Sequence, residues 1–367
     1  TASHNPPSYN GYKLKGNFGG PLLQDDINDI EIRIPEFNSV DYVSISIEDL
    51  VNSGRLIYVD LEDIYCTHVK SSFDLNSIRN SKMNFAYDAM FGAGMNAMKK
   101  LLPKATFLHC DNNPGFLGVS PEPIHRNLLE FSNLMKENPI DCGLATDGDA
   151  DRIGLYNSSG NFIDSHHIIL LLIHYLVKYK GLSGKVVTAF SCSVKVAQLC
   201  KHYGLDHEIV QIGFKHIAGK MVKEDVLLGG EESGGIATAG HIPERDGIWM
   251  GLILFEFMSK SGKSLDDLIA EVYEIVGPFA FERIDLHIDN DTKIRIIEDC
   301  NLGKFEKFGK YNVERVEKTD GYKYFFDADT WLMIRPSGTE PVLRTYAEAK
   351  NQSIAFDILA ACKSTIL

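Results

Sequence analysis

Apolar residues fall into short runs along this chain, and the runs alternate between the period of a strand and that of a helix. Residues 84–90 read Asn-Phe-Ala-Tyr-Asp-Ala-Met, then come Gly92-Ala93-Gly94 and a helical pattern as far as Leu102. That order predicts a strand, a glycine turn and a helix. Further strands are predicted at 105–110, 142–146, 185–190, 208–212 and 226–228, with helices at 123–136, 166–179, 194–203 and 248–260. Such alternation predicts α/β layers built on parallel strands. Past Pro278 the pattern changes to an apolar segment at 279–288, a helix near 292–300, a strand pair near 322–326 and 330–334, and a closing helix from Ser353. This predicts a separate α+β unit. Residues 1–20 are rich in Asn, Pro, Gly and Tyr without apolar periodicity and read as a structured loop.

Composition narrows the possibilities. At 367 residues the chain is too long for one ordinary core and implies roughly two to four domains. Its net charge of −13 argues against nucleic acid or an anionic membrane as a partner, since both require a basic face. An anionic substrate would then depend on local cations. The 7 cysteines show no CxxC spacing, which points to free thiols and a cytoplasmic location. The longest apolar run, 168–177, is interrupted by His174 and falls well short of the roughly 20 residues that span a bilayer. Nothing marks an obligate protein partner.

Four loops carry candidate chemistry. The first is Thr1-Ala2-Ser3-His4-Asn5-Pro6-Pro7, followed by Lys13, a stiff turn whose serine hydroxyl can accept and donate a phosphoryl group. The second, Asp147-Gly148-Asp149-Ala150-Asp151-Arg152, offers three carboxylates at alternate positions, which in a loop can converge on a hard cation. A calcium hand would need Gly and Glu where Arg152 and Ser158 stand, so that reading fails. A phosphatase using Asp147 as nucleophile stays open. The third loop, Gly229-Gly230-Glu231-Glu232-Ser233-Gly234-Gly235, can bind sugar hydroxyls through Glu231 and Ser233, with Lys215 upstream as a nearby cation. The fourth, Arg335-Pro336-Ser337-Gly338-Thr339-Glu340-Pro341, gathers an arginine fork, hydroxyls and glycine amides suited to phosphate.

In this order and spacing the four loops resemble those of the α-D-phosphohexomutase superfamily, along the whole chain. The superfamily includes phosphoglucomutases, phosphomannomutases and phosphoglucosamine mutases. The resemblance implies a multidomain α/β architecture of three similar domains and a C-terminal α+β domain around a central cleft. The expected limits are 1–64, 65–162, 163–277 and 278–367. Because only Thr1 and Ala2 precede the serine loop, the first domain is expected to be incomplete. The resemblance also implies that Ser3 is a phosphoserine, that Asp147, Asp149 and Asp151 hold Mg2+ together with the Ser3 phosphate, and that Arg152 lies at the reacting phosphate. Lys13 and His4 are the candidates for proton transfer. Lys215, Glu231 and Ser233 are expected on the sugar side, and Arg335, Ser337, Gly338 and Thr339 at the idle phosphate. Hexose phosphates would be the substrates and glucose 1,6-bisphosphate the intermediate and activator. Glu231-Glu232-Ser233 and Gly213-Phe214-Lys215 look most like a bacterial-type phosphoglucomutase. Phosphomannomutase activity is the alternative, followed by a sugar phosphatase or a non-catalytic sugar-phosphate binder.

Overall fold

The computed structural model describes residue 3 and residues 11–37, 45–337 and 342–367. A first sheet runs in the order β2-β1-β3-β4-β5, built from β1 (Phe85–Asp88), β2 (Thr106–Leu108), β3 (Cys142–Thr146), β4 (Ile153–Asn157) and β5 (Phe162–Ile163). A second runs β7-β6-β8-β9, from β6 (Lys185–Ala189), β7 (His207–Val210), β8 (Val226–Gly230) and β9 (Ile236–Thr238). Their centres are parallel, as expected, but β3–β4, β4–β5 and β8–β9 pair antiparallel. None of β4, β5 and β9 was expected from the sequence, and their antiparallel pairing has a local cause. Antiparallel neighbours need only a short connection, whereas parallel ones need a long crossover. The acidic loop and the glycine loop are therefore both hairpin loops.

The C-terminal sheet is wholly antiparallel, in the order β10-β16-β15-β14-β13, with a small β11-β12 hairpin beside it. Its strands are β10 (Ala280–His287), β11 (Lys307–Phe308), β12 (Tyr311–Asn312), β13 (Arg315–Glu317), β14 (Tyr322–Phe325), β15 (Trp331–Pro336) and β16 (Val342–Ala349). Helices Asn290–Asn301 and Gln352–Ile366 bury Ile296, Cys300, Ile358, Leu359 and Cys362 with this sheet in a core of its own.

The first two sheets share one continuous core. The helix Gly247–Ser261 runs through it, with every residue from Gly247 to Met258 buried. Asp246 caps this helix by accepting from the Trp249 amide at 2.8 Å, and Gly262 ends it at φ 67°. Each buried Leu, Ile or Phe contributes about 1.5–3 kcal/mol. At Gly251 a Cβ would collide with Leu144 of β3, so the helix can lie this close to the sheet only with glycine there.

Between the second and C-terminal sheets a smaller cluster joins Phe190 to Phe325, Trp331, Met333 and Tyr346. Lys323 is buried at the same junction and donates from Nζ to the carbonyls of Phe190 (2.9 Å) and Cys192 (3.2 Å), 3.8 Å from the Trp331 ring centroid. Those bonds are what allow a lysine to be buried there.

Three expected elements change shape. The strand at 105–110 shrinks to Thr106–Leu108 because His109 turns the chain at φ 47°. The helix expected at 123–136 begins only at Leu129, after a 3-10 turn at His125–Asn127, since Pro121 and Pro123 favour an extended entry. The helix expected at 166–179 is α-helical over Ser165–His174 and widens to a π turn at Tyr175–Tyr179. Helices Leu61–Ser72 and Leu265–Val276 were not apparent from periodicity. Ahead of the first sheet, Ile32, Ile34, Phe37, Ile57, Tyr58, Val59 and Leu61 are exposed. Among the described residues no helix is long and apolar enough to cross a membrane.

Candidate active site

The β3–β4 hairpin converges because one of its carboxylates caps its own backbone. Asp147 Oδ1 accepts from the amides of Asp151 (2.9 Å) and Arg152 (3.0 Å), and its carbonyl accepts from Ala150 N at 3.0 Å. Ala150 takes the left-handed turn at φ 60° that folds the three carboxylates to one side. Ser3 Oγ donates to Asp147 Oδ2 at 2.5 Å, and Lys13 Nζ pairs with Asp149 Oδ2 at 2.9 Å. A Cβ at Gly148 would strike the Ser3 carbonyl oxygen, so this glycine is what admits the serine backbone. Arg152 lies over the loop, its Nε 3.8 Å from Asp147 Oδ2 and its Nη1 3.8 Å from Glu122 Oε1.

The β8–β9 hairpin is bonded to this one. Ile153 N donates to Gly234 O at 3.1 Å, and Arg152 forms a bridge with Gly235. Glu231 is buried; its Oε1 accepts from Gly213 N at 3.0 Å, and its Oε2 lies 3.7 Å from Arg245 Nη1. Arg245 reaches the other way to Asp151 Oδ2 at 2.5 Å and stacks on Phe214 with its Cζ 5.3 Å from the ring centroid. Glu232 Oε2 accepts from Ser191 Oγ at 2.5 Å. Ser233 is half-buried beside them, while Lys215 is exposed and donates to Gln24 Oε1 at 3.1 Å.

Arg335, at the end of β15, is held by Asp320, and Asp320 also accepts from the amide of Ile212, next to Gly213. A continuous set of contacts thus runs from Arg335 through Asp320, the 212–213 backbone, Glu231 and Arg245 to the acidic loop. Ser337 is buried and its carbonyl accepts from Lys293 Nζ at 2.6 Å. His4, Gly338 and Thr339 lie outside the described residues.

Four profiles of one family match the chain in sequence. They are described as Phosphoglucomutase/phosphomannomutase, alpha/beta/alpha domain I (residues 1–39), domain II (63–160) and domain III (164–276), and its C-terminal domain (301–362). A protein called phosphoglucomutase/phosphomannomutase from Thermococcus kodakarensis is 30% identical over 98% of this chain and 76% of its own length. The chain belongs to this family of phosphohexomutases. A probable phosphoglucosamine mutase from Pyrococcus furiosus is 28% identical over 100% of this chain and 77% of its own. The crystal structure of a putative phosphomannomutase from Thermus thermophilus superposes with a TM-score of 0.83 at 29% identity, covering 100% of this chain and 77% of that one.

The acidic loop of this phosphohexomutase suits a divalent cation. One oxygen from each of Asp147, Asp149 and Asp151 lies within 4.8 Å of the others, so a small inward adjustment would let them share one cation, whose oxygen ligands at about 2.1 Å stand at most about 4.2 Å apart. Asp151 Oδ1 is buried with no hydrogen-bond partner among the described residues. Burial, then the charges of Asp151 and Asp149, push Asp147 up to about 7. Burial raises Asp149 as well, but Lys13 and Ser3 outweigh it and carry the group down to about 2. Asp151 is raised by burial, with Arg245 opposing. Crowded carboxylates that resist ionisation are what a bound cation relieves.

Arg245, Asp320 and Glu122 were missed from sequence. A signal for Arg245 existed: Glu244-Arg245-Asp246-Gly247 is a charged cluster with a helix-capping aspartate just before an apolar helix. Asp320-Gly321 reads only as a turn, and nothing in the sequence says that it reaches another unit.

Proposed function

We propose that this phosphohexomutase interconverts hexose 1-phosphate and hexose 6-phosphate, with glucose as the preferred sugar, through a phosphoserine at Ser3 and a 1,6-bisphosphate. The carrying observation is the hydrogen bond from Ser3 Oγ to Asp147, at the centre of an aspartate trio flanked by Lys13 and Arg152. A phosphorylated Ser3 would hold about −1.5 to −2 charges against that trio, so cations must offset it. Asp147, Asp149 and Asp151 would hold magnesium, which when bound offsets phosphate charge at the reacting end.

In the forward step the bond between phosphorus and Ser3 Oγ breaks as a sugar hydroxyl oxygen bonds the phosphorus. The hydroxyl proton passes through His4, or through Lys13 in its neutral form, to the departing Ser3 Oγ, which leaves as a hydroxyl. Arg152 offsets charge on the transferring group, and Arg245 holds Asp151 and steadies the loop. Glu231 and Ser233 orient sugar hydroxyls with Lys215 near them, while Arg335, Ser337, Gly338 and Thr339 grip the phosphate that is not reacting. The bisphosphate then turns over and returns its other phosphoryl group to Ser3. Water must be excluded meanwhile, or the phosphoserine hydrolyses.

Domain limits at 1–64, 65–162, 163–277 and 278–367 form part of this reading. The 7 cysteines are all buried free thiols, which supports a reducing, cytoplasmic setting. Glucosamine phosphate is the second candidate substrate, favoured by the name of the Pyrococcus relative; mannose phosphate is the third, favoured by that of the Thermus structure.

The test is turnover of glucose, mannose and glucosamine 1-phosphates with magnesium and a trace of the matching 1,6-bisphosphate, following both the 6-phosphate and free phosphate. Isomerisation without phosphate release, abolished in Ser3→Ala, is expected. Net release of phosphate would favour the phosphatase, and binding without turnover the non-catalytic reading.

A further inference from the structure

Asp320 stands where the C-terminal sheet meets the second one. Its Oδ1 accepts from Arg335 Nε at 3.1 Å and its Oδ2 from Arg335 Nη2 at 3.3 Å. The same Oδ2 accepts from the amide of Ile212 at 2.9 Å. Ile212 follows β7, and the next amide, Gly213, donates to Glu231 Oε1 at 3.0 Å. Two adjacent amides therefore end on two carboxylates, one beside the arginine turn and one from the glycine loop.

A guanidinium is a rigid plane with five N–H donors. Engaging Nε and Nη2 uses one edge of that plane. The Nη1–Nη2 edge stays uncommitted among the described residues, and it is an edge that can take two phosphate oxygens side by side. A carboxylate acting as a competitor would cover the edge that meets the anion; Asp320 takes the other edge and is itself anchored to Ile212.

We infer that Asp320 is a positioning residue for the idle phosphate: it fixes the plane of Arg335 and registers that plane against the segment that also holds Glu231. This rests on the reading of Arg335 as the phosphate grip. Part of the arginine's rotamer freedom is then already lost before substrate arrives. The two anions meet adjacent edges of one guanidinium that share Nη2, and its positive charge offsets their mutual repulsion locally.

Turnover kinetics and calorimetric binding of glucose 6-phosphate test this in the wild type, Asp320→Ala, Asp320→Asn, Arg335→Ala and the Asp320→Ala/Arg335→Ala double variant, with thermal unfolding of each. Asp320→Ala is expected to raise KM and Kd about ten-fold, the size of one charge-assisted hydrogen bond, with a much smaller change in kcat, because the grip acts equally on ground and transition states. Asp320→Asn keeps an oxygen for Ile212 but turns an amide N–H₂ toward the guanidinium, so it should raise KM while unfolding close to the wild-type temperature. In the Arg335→Ala background the loss of Asp320 should add nothing. Full additivity, an unchanged KM in both Asp320 variants, or tighter binding in Asp320→Ala overturns the inference. If Arg335→Ala alone leaves binding unaltered, the phosphate-grip reading itself has failed, and this inference with it.

Discussion

The acidic loop and the arginine turn each follow a buried strand and each gather charge, yet they hold it in opposite ways. At the acidic loop one carboxylate is buried, two are half-buried and all three are crowded. One caps two amides of its own hairpin, one is paired to Lys13 and one to Arg245, and the glycine hairpin is bonded across. At the arginine turn a single guanidinium is gripped along one edge by a carboxylate from a neighbouring turn. The first region is stressed by like charges and suits a cation that relieves them. The second is balanced in charge and keeps one edge for an anion. Under the proposed mechanism the substrate binds in two orientations and would need such a division: fixed chemistry at one end and an orientation-tolerant grip at the other.

The sharpest way to break the comparison is at the cation. Removing divalent metal with a chelator should abolish turnover, and magnesium should restore it. Asp151→Asn should weaken the apparent magnesium affinity by about a hundred-fold, because a hard ligand is lost. A magnesium titration of turnover reads this. If Asp151→Asn titrates like the wild type, the trio is not the metal site.

Arg245 ties the two hairpins together, and its removal comes next in size. Arg245→Met keeps much of the contact with Phe214 but leaves half-buried Asp151 and buried Glu231 without their cation. Breaking a buried pair from one side costs about 3 kcal/mol, so a clear drop in unfolding temperature is expected. An unshifted melting curve would mean that the pair is not what holds the hairpins.

The contrast between the two regions was only half legible in the chain. Asp147, Asp149 and Asp151 are visible because their spacing and the apolar strand before them make one local pattern. Strands and buried helices were legible for the same reason, since periodicity is local. What escaped was pairing over distance. Arg245 meets Asp151 and Asp320 meets Ile212 across sheets, and no spacing rule encodes that. The antiparallel turn of β4 and β9 escaped because both runs are short and stand directly after the acidic and glycine loops, so neither was legible as a strand.

Arg335→Ala tests the other end alone. Loss of a bidentate charged contact should raise KM by about thirty-fold, while the magnesium titration stays in place. Arg335→Lys should recover little, because an ammonium has no planar edge for Asp320 to hold. A matching fall in magnesium affinity would show the two regions to be one coupled site rather than a fixed end and a grip.

The smallest effect concerns Glu231, which stands between the two regions. Burial pushes it up to about 7, with Arg245 opposing from 3.7 Å, too far for a hydrogen bond. A carboxyl raised in this way keeps a proton in the folded protein that the unfolded chain releases near pH 4.3. Its contribution to stability is complete below that value and is lost as pH rises toward 7. The wild type should therefore lose about 1 kcal/mol relative to Glu231→Gln between pH 5 and 6, since glutamine cannot ionise. Thermal unfolding of both proteins across that range measures the difference. In the Arg245→Met background the loss should extend to higher pH, because the largest of the opposing charges is gone. A wild type that gains on Glu231→Gln as pH rises would mean that Glu231 is already ionised in the fold, with Arg245 rather than burial deciding its charge.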